Sequence, residues 1–246
     1  MISAAGVVIP AHDEEEMLPA CLRAVQCAAA AVSVPVHVLV VADACSDRTT
    51  QVARAAGAAL LSVDVRNVGS ARAAGVDGVL RQFAPVGTGA VWLGTTDADT
   101  LVPPEWLIRQ LTYADAGWDV VLGTVRVAHW REHSARVPAI FAERYAFRDA
   151  LHPHVHGANF GIRASAYLAA GGFRALRCGE DHALRDAAIA AGHRVLPAGD
   201  LEVITSGRRQ ARAPGGFGDL LRSLGENATS PPQAEPWADP RPATAT

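Results

Sequence analysis

The sequence predicts an α/β fold with a doubly wound, mainly parallel sheet. Five short apolar runs alternate, along the first half of the chain, with segments that have the residue spacing of amphipathic helices. Continuous apolar runs are typical of parallel strands that are covered on both faces. Their alternation with helices is typical of a doubly wound sheet. The chain has 246 residues, of which 50% are hydrophobic, so it is long enough to bury a sizeable core.

The five runs and the segments between them predict the elements in order. The first helix is predicted to start at Asp13, an N-cap residue followed three positions later by Glu16. Ser46 or Asp47 is predicted to cap the second helix. The predicted strands span residues 6–10, 36–41 and 58–63, the run that starts at Ala90, and residues 120–127; further helices end near Phe83 and cover residues 103–117.

The pattern changes after Val127, which predicts an α+β extension of the sheet. A helix is predicted over residues 135–151, a glycine-punctuated strand over 152–163, a helix from Cys178 to about Gly192, and short strands over 195–196 and 201–204. From Ser230 onward Pro, Ala and Thr predominate, which predicts a disordered tail.

Composition excludes several classes of function. The formal net charge of -3 gives no field that would hold a polyanion, so neither nucleic-acid binding nor general membrane-surface binding is expected. No apolar run approaches the length of a membrane span, and no secretory leader is recognisable. The four cysteines show no zinc-like spacing and are typical of a reducing cytosol. We therefore expect a cytoplasmic protein without a membrane span.

Two carboxylates follow the fourth apolar run. Asp97 and Asp99 are two residues apart, so on an extended backbone they point the same way from the carboxyl end of a strand, where open α/β sheets bind ligands. Because like charges repel at this distance, a divalent cation is a natural partner. The alternative is an ordinary turn, in which a lone Asp-x-Asp occurs by chance.

The turn after the first strand argues against two nucleotide-binding motifs. A phosphate-binding turn needs glycines and a free helix N-terminus, whereas this turn carries Asp13, Glu14, Glu15 and Glu16. These side chains already complement the helix dipole and repel phosphate. A Rossmann dinucleotide site and a P-loop are therefore not expected.

Two further residues are candidates for a nucleotide site. Asp43 ends the second strand and could accept a hydrogen bond from a nucleobase or ribose, or else lie in water as an ordinary loop carboxylate. Arg72 lies in the first turn of a helix, where a cation opposes the dipole, so we expect it to have an anionic partner.

The second half supplies histidines and an aromatic residue. His152, His154 and His156 share one face if the segment is extended, which suits a metal, a proton relay or a polar acceptor. Histidine is also frequent on half-buried strands without any chemical role. Phe173 follows a Gly-Gly turn and suits either a sugar platform or plain packing.

Carboxylates and arginines near the C-terminus are the last candidates. Glu180 and Asp181 open a helix, where they either complement its dipole or act as active-site carboxylates, one of them a general base. Arg208, Arg209 and Arg212 lie on a glycine-rich segment that suits a mobile lid for a polyphosphate. A basic surface loop is the alternative.

Taken together, these motifs resemble the family 2 glycosyltransferases of the GT-A fold over roughly residues 6–217. Two positions depart from the family pattern: Asp13 stands where Asn is usual, and Ala42 replaces the first residue of an acidic pair. The Gln-x-x-Arg-Trp signature of processive members is missing, which speaks against a polymer synthase. The matching segments, in the order of the family, are Val7 to Glu15, Val40 to Asp47, Gly69 to Gly75, Asp97-Ala98-Asp99, Gly171-Gly172-Phe173 and Glu180-Asp181.

The resemblance implies an inverting, metal-dependent transfer from a UDP or GDP sugar to a small-molecule or lipid-linked acceptor. Asp99 would hold Mg²⁺ or Mn²⁺, with His156 as a less favoured extra ligand. Asp181 would be the general base, with Glu180, His156 and Phe173 on the acceptor side. Contacts to the nucleotide sugar are implied for Pro10, Asp43, Arg72, Asp97, Arg208, Arg209 and Arg212.

The same resemblance divides the chain into functional halves. Residues 1–127 would bind the nucleotide sugar, and residues 128–229 would bind the acceptor and carry the base. The alternatives are a non-catalytic module that binds nucleotide sugars and a sugar-nucleotide pyrophosphorylase, although the latter carries a basic, glycine-rich first loop. The donor, the acceptor and the oligomeric state cannot be predicted from these residues.

Overall fold

The computed structural model describes residues 1–146 and 152–226, so the predicted tail and the end of the predicted helix 135–151 lie outside the described residues. The strands are β1 Ala4–Ala11, β2 Val36–Asp43, β3 Ala59–Val63, β4 Val91–Thr95, β5 Thr100–Leu101, β6 Val120–Val127, β7 Phe160–Arg163 and β8 Val195–Thr205. The helices are α1 Leu18–Ala30, α2 Thr49–Ala55, α3 Val68–Gln82, α4 Trp106–Asp115, α5 Val137–Tyr145, α6 Ala164–Ala169, α7 Glu180–Ala190 and α8 Phe217–Glu226.

The strands form one eight-stranded sheet in the order β3-β2-β1-β4-β7-β6-β8-β5. Strands β1 to β4 are parallel to one another, and β8 is parallel to β6. Only β7 and β5 run antiparallel to their neighbours. The predicted mainly parallel α/β sheet is therefore confirmed. Among the described residues no helix combines the length and apolar character that a membrane crossing requires.

Helices cover both faces of this sheet, which explains the continuous apolar runs. In β1, Val7 and Ile9 point to the face covered by α1 and α4, while Val8 points to the face covered by α3, α6 and α7. All three side chains are fully buried. Burying an aliphatic side chain of this size contributes about 1.5–3 kcal/mol. A polar residue on either face of the strand would therefore lower the stability of the fold.

The predicted start of the first helix is wrong. Helix α1 begins at Leu18, and Asp13 instead has a left-handed backbone with φ of 51°. Its carboxylate accepts the backbone N–H groups of Ser46 at 2.7 Å and Asp47 at 3.2 Å, on the loop after β2. Asp13 thus joins two loops at the carboxyl edge of the sheet.

Two predictions in the second half also need correction. Residues 152–156 form no regular strand, and β7 covers only Phe160–Arg163 after a short 3₁₀ turn over Gly157–Asn159. The two predicted strands at 195–196 and 201–204 are one continuous strand, β8, whose pairing with β6 shifts in register between Gly123 and Thr124. The Asn159 side chain donates to Thr124 O and Leu201 O, and so fills the gap that this shift leaves.

Candidate active site

Charged side chains from distant parts of the chain converge beyond the carboxyl ends of β1 and β4. Asp97 and Asp99 follow β4, and Arg72 reaches the same place from the first turns of α3. The N-terminus of α7 supplies Glu180 and Asp181. The remaining members, Glu14 and Arg208, come from the loop after β1 and the segment after β8.

Arg72 is the buried centre of this group. Only 3% of the residue is exposed, and its Nη2 donates to Asp97 Oδ1 at 2.6 Å while Nη1 donates to Glu180 Oε1. Its guanidinium carbon lies 5.9 Å from the centroid of the Phe173 ring. Burial disfavours the cation, but the charges of Asp97 and Glu180 outweigh it, so the pKa of Arg72 is raised. The anionic partner predicted for Arg72 is therefore present within the protein.

Glu180 and Phe173 are buried beside Arg72. Glu180 is 5% exposed and Phe173 is 6% exposed. The Phe173 ring packs against Phe160 and Tyr167, with centroids 6.1 and 5.7 Å away. Both residues were predicted to contact an acceptor. In the structure both lie against the guanidinium of Arg72, and a contact of either residue with an acceptor stays a prediction.

Gly157 closes the other side of Arg72. A Cβ atom built on Gly157 would lie about 2.5 Å from the guanidinium carbon and 2.6 Å from Nη1, which is far inside contact distance. The backbone N–H of the same residue donates to Asp181 Oδ2 at 2.7 Å. One glycine therefore links the Arg72 group to Asp181. The sequence shows a glycine directly after His156, but its contacts with Arg72 and Asp181 depend on tertiary structure and could not be predicted.

Gly157→Ala is expected to lower the free energy of unfolding by about 1–3 kcal/mol, because an added methyl group in a packed site forces its neighbours apart. Donor binding should weaken as well, since Arg72 must move. Urea denaturation measures the first effect. Gly89→Ala is the matched control, because nothing lies within 4 Å of the Cβ position there. Equal stability of the two variants would contradict the close packing of Gly157 on Arg72.

Asp181 is held by hydrogen-bond donors on both carboxylate oxygens. Besides the Gly157 amide, His182 donates its backbone N–H to Oδ1 at 2.8 Å, and its ring Nδ1 lies 3.0 Å from the same oxygen. Burial alone would raise the pKa of Asp181, but the His182 hydrogen bonds and the charge of Arg72 outweigh it and lower the pKa to about 2. Asp181 is therefore an oriented carboxylate that is ionised at neutral pH.

Arg208 reaches the acidic end of the site. Its Nε lies 3.0 Å from Asp99 Oδ2, and its Nη2 contacts the same oxygen and Glu14 Oε1, the latter at 2.6 Å. Arg212 lies 3.9 Å from Glu14. Burial raises the pKa of Glu14, although Arg208 partly offsets this. The sequence does not distinguish Glu14 from the other three acidic residues of its run, because burial leaves no local signal.

The three arginines of the predicted lid are therefore not equivalent. Arg208 points into the site, and Arg212 lies at its edge. Arg209 is exposed, and its backbone N–H donates to Glu132 Oε2 at 3.0 Å on the loop before α5. The structure thus brings two of the three predicted cations to the acidic residues. A contact between Arg209 and a polyphosphate stays a prediction.

Asp43 has a structural task at the edge of the site. Its carboxylate accepts the backbone N–H groups of Val65 and Arg66 at 2.8 and 2.9 Å, and that of Asn67 at 3.0 Å. These contacts fix the loop between β3 and α3, and so the position of Arg72. A contact of Asp43 with a nucleobase stays a prediction. The same holds for a contact of the half-buried Pro10 with the nucleotide sugar.

One group of three potential metal ligands lies together within the described residues, and it is not the Asp97–Asp99 pair. Ligand atoms of Asp13, Cys45 and Asp47 are all within 4.8 Å of one another. The two carboxylates accept N–H groups of the surrounding loops, for example that of Glu15 at 2.9 Å by Asp47. These hydrogen bonds join the loop after β1 to the loop after β2, which explains why the three side chains lie together.

Comparison with known proteins identifies relatives of the chain. The model of the family described as "Glycosyltransferase like family 2" matches residues 4–213. The undecaprenyl-phosphate 4-deoxy-4-formamido-L-arabinose transferase of Klebsiella pneumoniae subsp. pneumoniae is 36% identical over 126 residues, which are 49% of this chain and 36% of that protein. The chain thus spans less than half the length of this curated relative.

Solved structures with the same fold include two that hold nucleotide sugars. S. aureus TarS in complex with UDP-GlcNAc has a TM-score of 0.63 at 15% identity, over 88% of this chain and 62% of that one. A mannosyltransferase from Pyrobaculum calidifontis in complex with GDP-Man and Mn²⁺ has a TM-score of 0.57 at 20% identity, over 89% and 68%. At these identities the likeness shows the fold alone.

Proposed function

The chain belongs to glycosyltransferase-like family 2, and from that premise we propose that it transfers a sugar from a nucleoside-diphosphate sugar to an acceptor hydroxyl with inversion. One observation carries the proposal: Gly157 donates its amide N–H to the oriented carboxylate of Asp181 and packs against the buried Arg72, which pairs with Asp97. A group able to take a proton thus lies beside groups able to hold a nucleotide sugar.

The donor is proposed to bind at the carboxyl edge of β1, β2 and β4. Arg72 orients Asp97, whose side chain is still 36% exposed, so it can accept hydrogen bonds from the hydroxyl groups of a ribose or sugar. Arg208 and Arg212, with Arg209 nearby, would face the diphosphate. The two solved relatives hold UDP-GlcNAc and GDP-Man, so we propose a UDP or GDP sugar without choosing between them.

The residues also fit a divalent cation. Asp99 Oδ2 and Glu14 Oε1 both contact one nitrogen of Arg208, so two carboxylate oxygens already converge on a single positive group. Carboxylate oxygens are the ligands that hard cations prefer. We propose that Asp99 holds Mg²⁺ or Mn²⁺. When bound, the ion would offset negative charge on the leaving diphosphate.

In the proposed reaction Asp181 accepts the proton of an acceptor hydroxyl. The oxygen forms a bond to the anomeric carbon, while the bond from that carbon to the diphosphate oxygen breaks on the opposite face. Configuration is therefore inverted, and the nucleoside diphosphate leaves with the electron pair. Arg208 and Arg212 would stabilise the charge that develops on it. A small-molecule or a lipid-linked acceptor fits this step, and the Klebsiella relative is named for undecaprenyl phosphate.

Release of nucleoside diphosphate tests this proposal directly. Purified protein is incubated with UDP and GDP sugars, Mn²⁺ and glycerol as a simple hydroxyl acceptor, and free nucleoside diphosphate is measured. A glycosyltransferase releases it, whereas a module that only binds nucleotide sugars does not. Binding without release from any donor would favour the binding module.

Asp99→Asn is expected to remove the metal-dependent part of donor binding. In wild-type protein, Mn²⁺ with the preferred nucleotide sugar at 100 times its Kd should raise stability by about 2.7 kcal/mol, since the pair binds only the native state. The variant should lose most of the metal-dependent rise in a thermal-shift assay. Asp77→Asn, an exposed carboxylate on α3, is the control. If the metal-dependent thermal shift of Asp99→Asn equals that of the wild type, Asp99 is not a metal ligand.

A further inference from the structure

The edge of β6 beyond Leu122 is completed by side chains. Strand β7 pairs with β6 only at Val120 to Leu122. Farther along, the Tyr145 hydroxyl accepts the N–H of Val125 at 2.8 Å. The ring Nε2 of His152 lies 3.0 Å from Leu122 O. Side chains from α5 and the following segment thus replace a strand, and hydrogen bonding fixes their orientation.

Among the described residues, the Tyr145 hydroxyl has one candidate acceptor for its proton. A backbone N–H can only donate, so the hydroxyl oxygen accepts from Val125 and keeps its own proton for another partner. That partner is His156 Nε2, at 2.8 Å. A ring nitrogen that accepts a hydrogen bond carries no proton. In this arrangement of protons, which gives the Tyr145 hydroxyl both of its partners, His156 is neutral and has its proton on Nδ1.

The two neighbouring histidines have the opposite arrangement. Nε2 of His152 lies against Leu122 O, and Nε2 of His154 lies 3.0 Å from Tyr145 O. Carbonyl oxygens only accept, so both Nε2 atoms carry a proton. The three rings stack with centroids 5.8 and 6.2 Å apart, yet they differ in tautomer. Sequence alone could not separate a structural histidine from a functional one in this run.

His156 is also the one of the three that adjoins the proposed base. The next residue, Gly157, donates its N–H to Asp181. The His156 ring is half-buried and meets Phe217 edge-on at 5.8 Å. Within residues 1–146 and 152–226, no group forms a hydrogen bond with its Nδ1. This N–H is available to a ligand next to Asp181.

We propose that Tyr145 is a positioning residue that fixes His156 as a neutral Nδ1–H donor, and that this donor binds an oxygen lone pair of the acceptor. The inference rests on the proposed function, and it identifies the recognised chemistry as a hydroxyl or phosphate oxygen rather than an ammonium group. Because the lone pair of Nε2 is bonded to Tyr145 and Nδ1 carries a proton, His156 has no free lone pair for a metal ion.

Long-range ¹H–¹⁵N NMR of the full chain, with ¹⁵N-labelled histidine, reads the tautomers without any substrate. His156 should show the Nδ1–H pattern, and His152 and His154 the Nε2–H pattern. Tyr145→Phe should change the pattern of His156 only, whereas Tyr113→Phe, whose hydroxyl bonds Asp200 on the surface, should change none. An Nε2–H pattern for His156 in the wild type, or no response to Tyr145→Phe, would overturn the proposal.

Substitution of His156 tests its role toward the acceptor. The amide nitrogen of Asn corresponds to Nδ1 of histidine, and that of Gln corresponds to Nε2. With glycerol as the probe acceptor, His156→Asn should keep the acceptor KM within about threefold, and His156→Gln should raise it about tenfold, the effect of one lost hydrogen bond. Equal effects of the two substitutions would overturn the assignment. If wild type releases no nucleoside diphosphate, the proposed function fails, while the NMR result still decides the tautomer.

Discussion

Asp181→Asn is expected to lower the turnover of nucleoside-diphosphate release by about 10²–10⁴-fold, the usual contribution of a positioned general base. The amide has the shape of the carboxylate, and its oxygen can still accept one N–H, from Gly157 or from His182. It cannot take the proton of a hydroxyl group at neutral pH. Donor binding, which depends on Arg72 and Asp97, should stay within about twofold in the same variant.

The pH dependence of wild-type turnover follows from the same contacts. The pKa of Asp181 is lowered to about 2, so the carboxylate is already ionised well below neutral pH. Protonation of Asp181 should therefore cause no loss of turnover between pH 8 and pH 5. The low pKa makes Asp181 a weak base, which is consistent with removal of the proton late, as the bond to the anomeric carbon forms.

The control for Asp181 lies on the same helix. Asp186 is on α7 with its side chain 64% exposed, and it pairs with Arg185. Asp186→Asn should leave both turnover and donor binding unchanged. If Asp181→Asn retains wild-type turnover while its donor binding is intact, another group takes the proton and the assignment of the base is wrong.

Local pattern was sufficient for most of the sheet. Strand β6 covers Val120–Val127, as predicted, because seven of its eight residues are buried and only Thr124 and Arg126 interrupt its apolar side chains. The start of α1 could not be predicted in this way. Asp13 has the sequence pattern of an N-cap, but its carboxylate binds Ser46, whose proximity depends on the fold of the whole sheet.

The candidate site shows the same division. Asp97 and Asp99 could be predicted because a strand period of two aims both side chains from one edge. The partners of the two carboxylates could not be predicted, since Arg72 is 25 residues from Asp97 and Arg208 is 109 residues from Asp99 in the sequence. Glu14 was missed for a similar reason, because only tertiary structure separates the buried carboxylate from its more exposed neighbours.

Arg72→Met is expected to lower the free energy of unfolding by about 3–5 kcal/mol, because it leaves the buried carboxylate of Glu180 without its counter-charge. Donor binding should be lost as well, since Asp97 loses the contact that orients it. Urea denaturation gives the stability and a thermal-shift assay with the nucleotide sugar gives the binding. Arg185→Met, which breaks the Arg185–Asp186 surface pair, should cost no more than about 1 kcal/mol.

A second substitution separates stability from function. Replacing both partners of a buried ion pair by apolar side chains is often neutral, so Arg72→Met with Glu180→Leu should regain most of the lost stability. It should not regain donor binding, because Asp97 still lacks its partner. Recovery of both would mean that Arg72 serves the fold alone. Recovery of stability without binding would mean that the chain keeps a costly buried cation to hold Asp97 toward the donor.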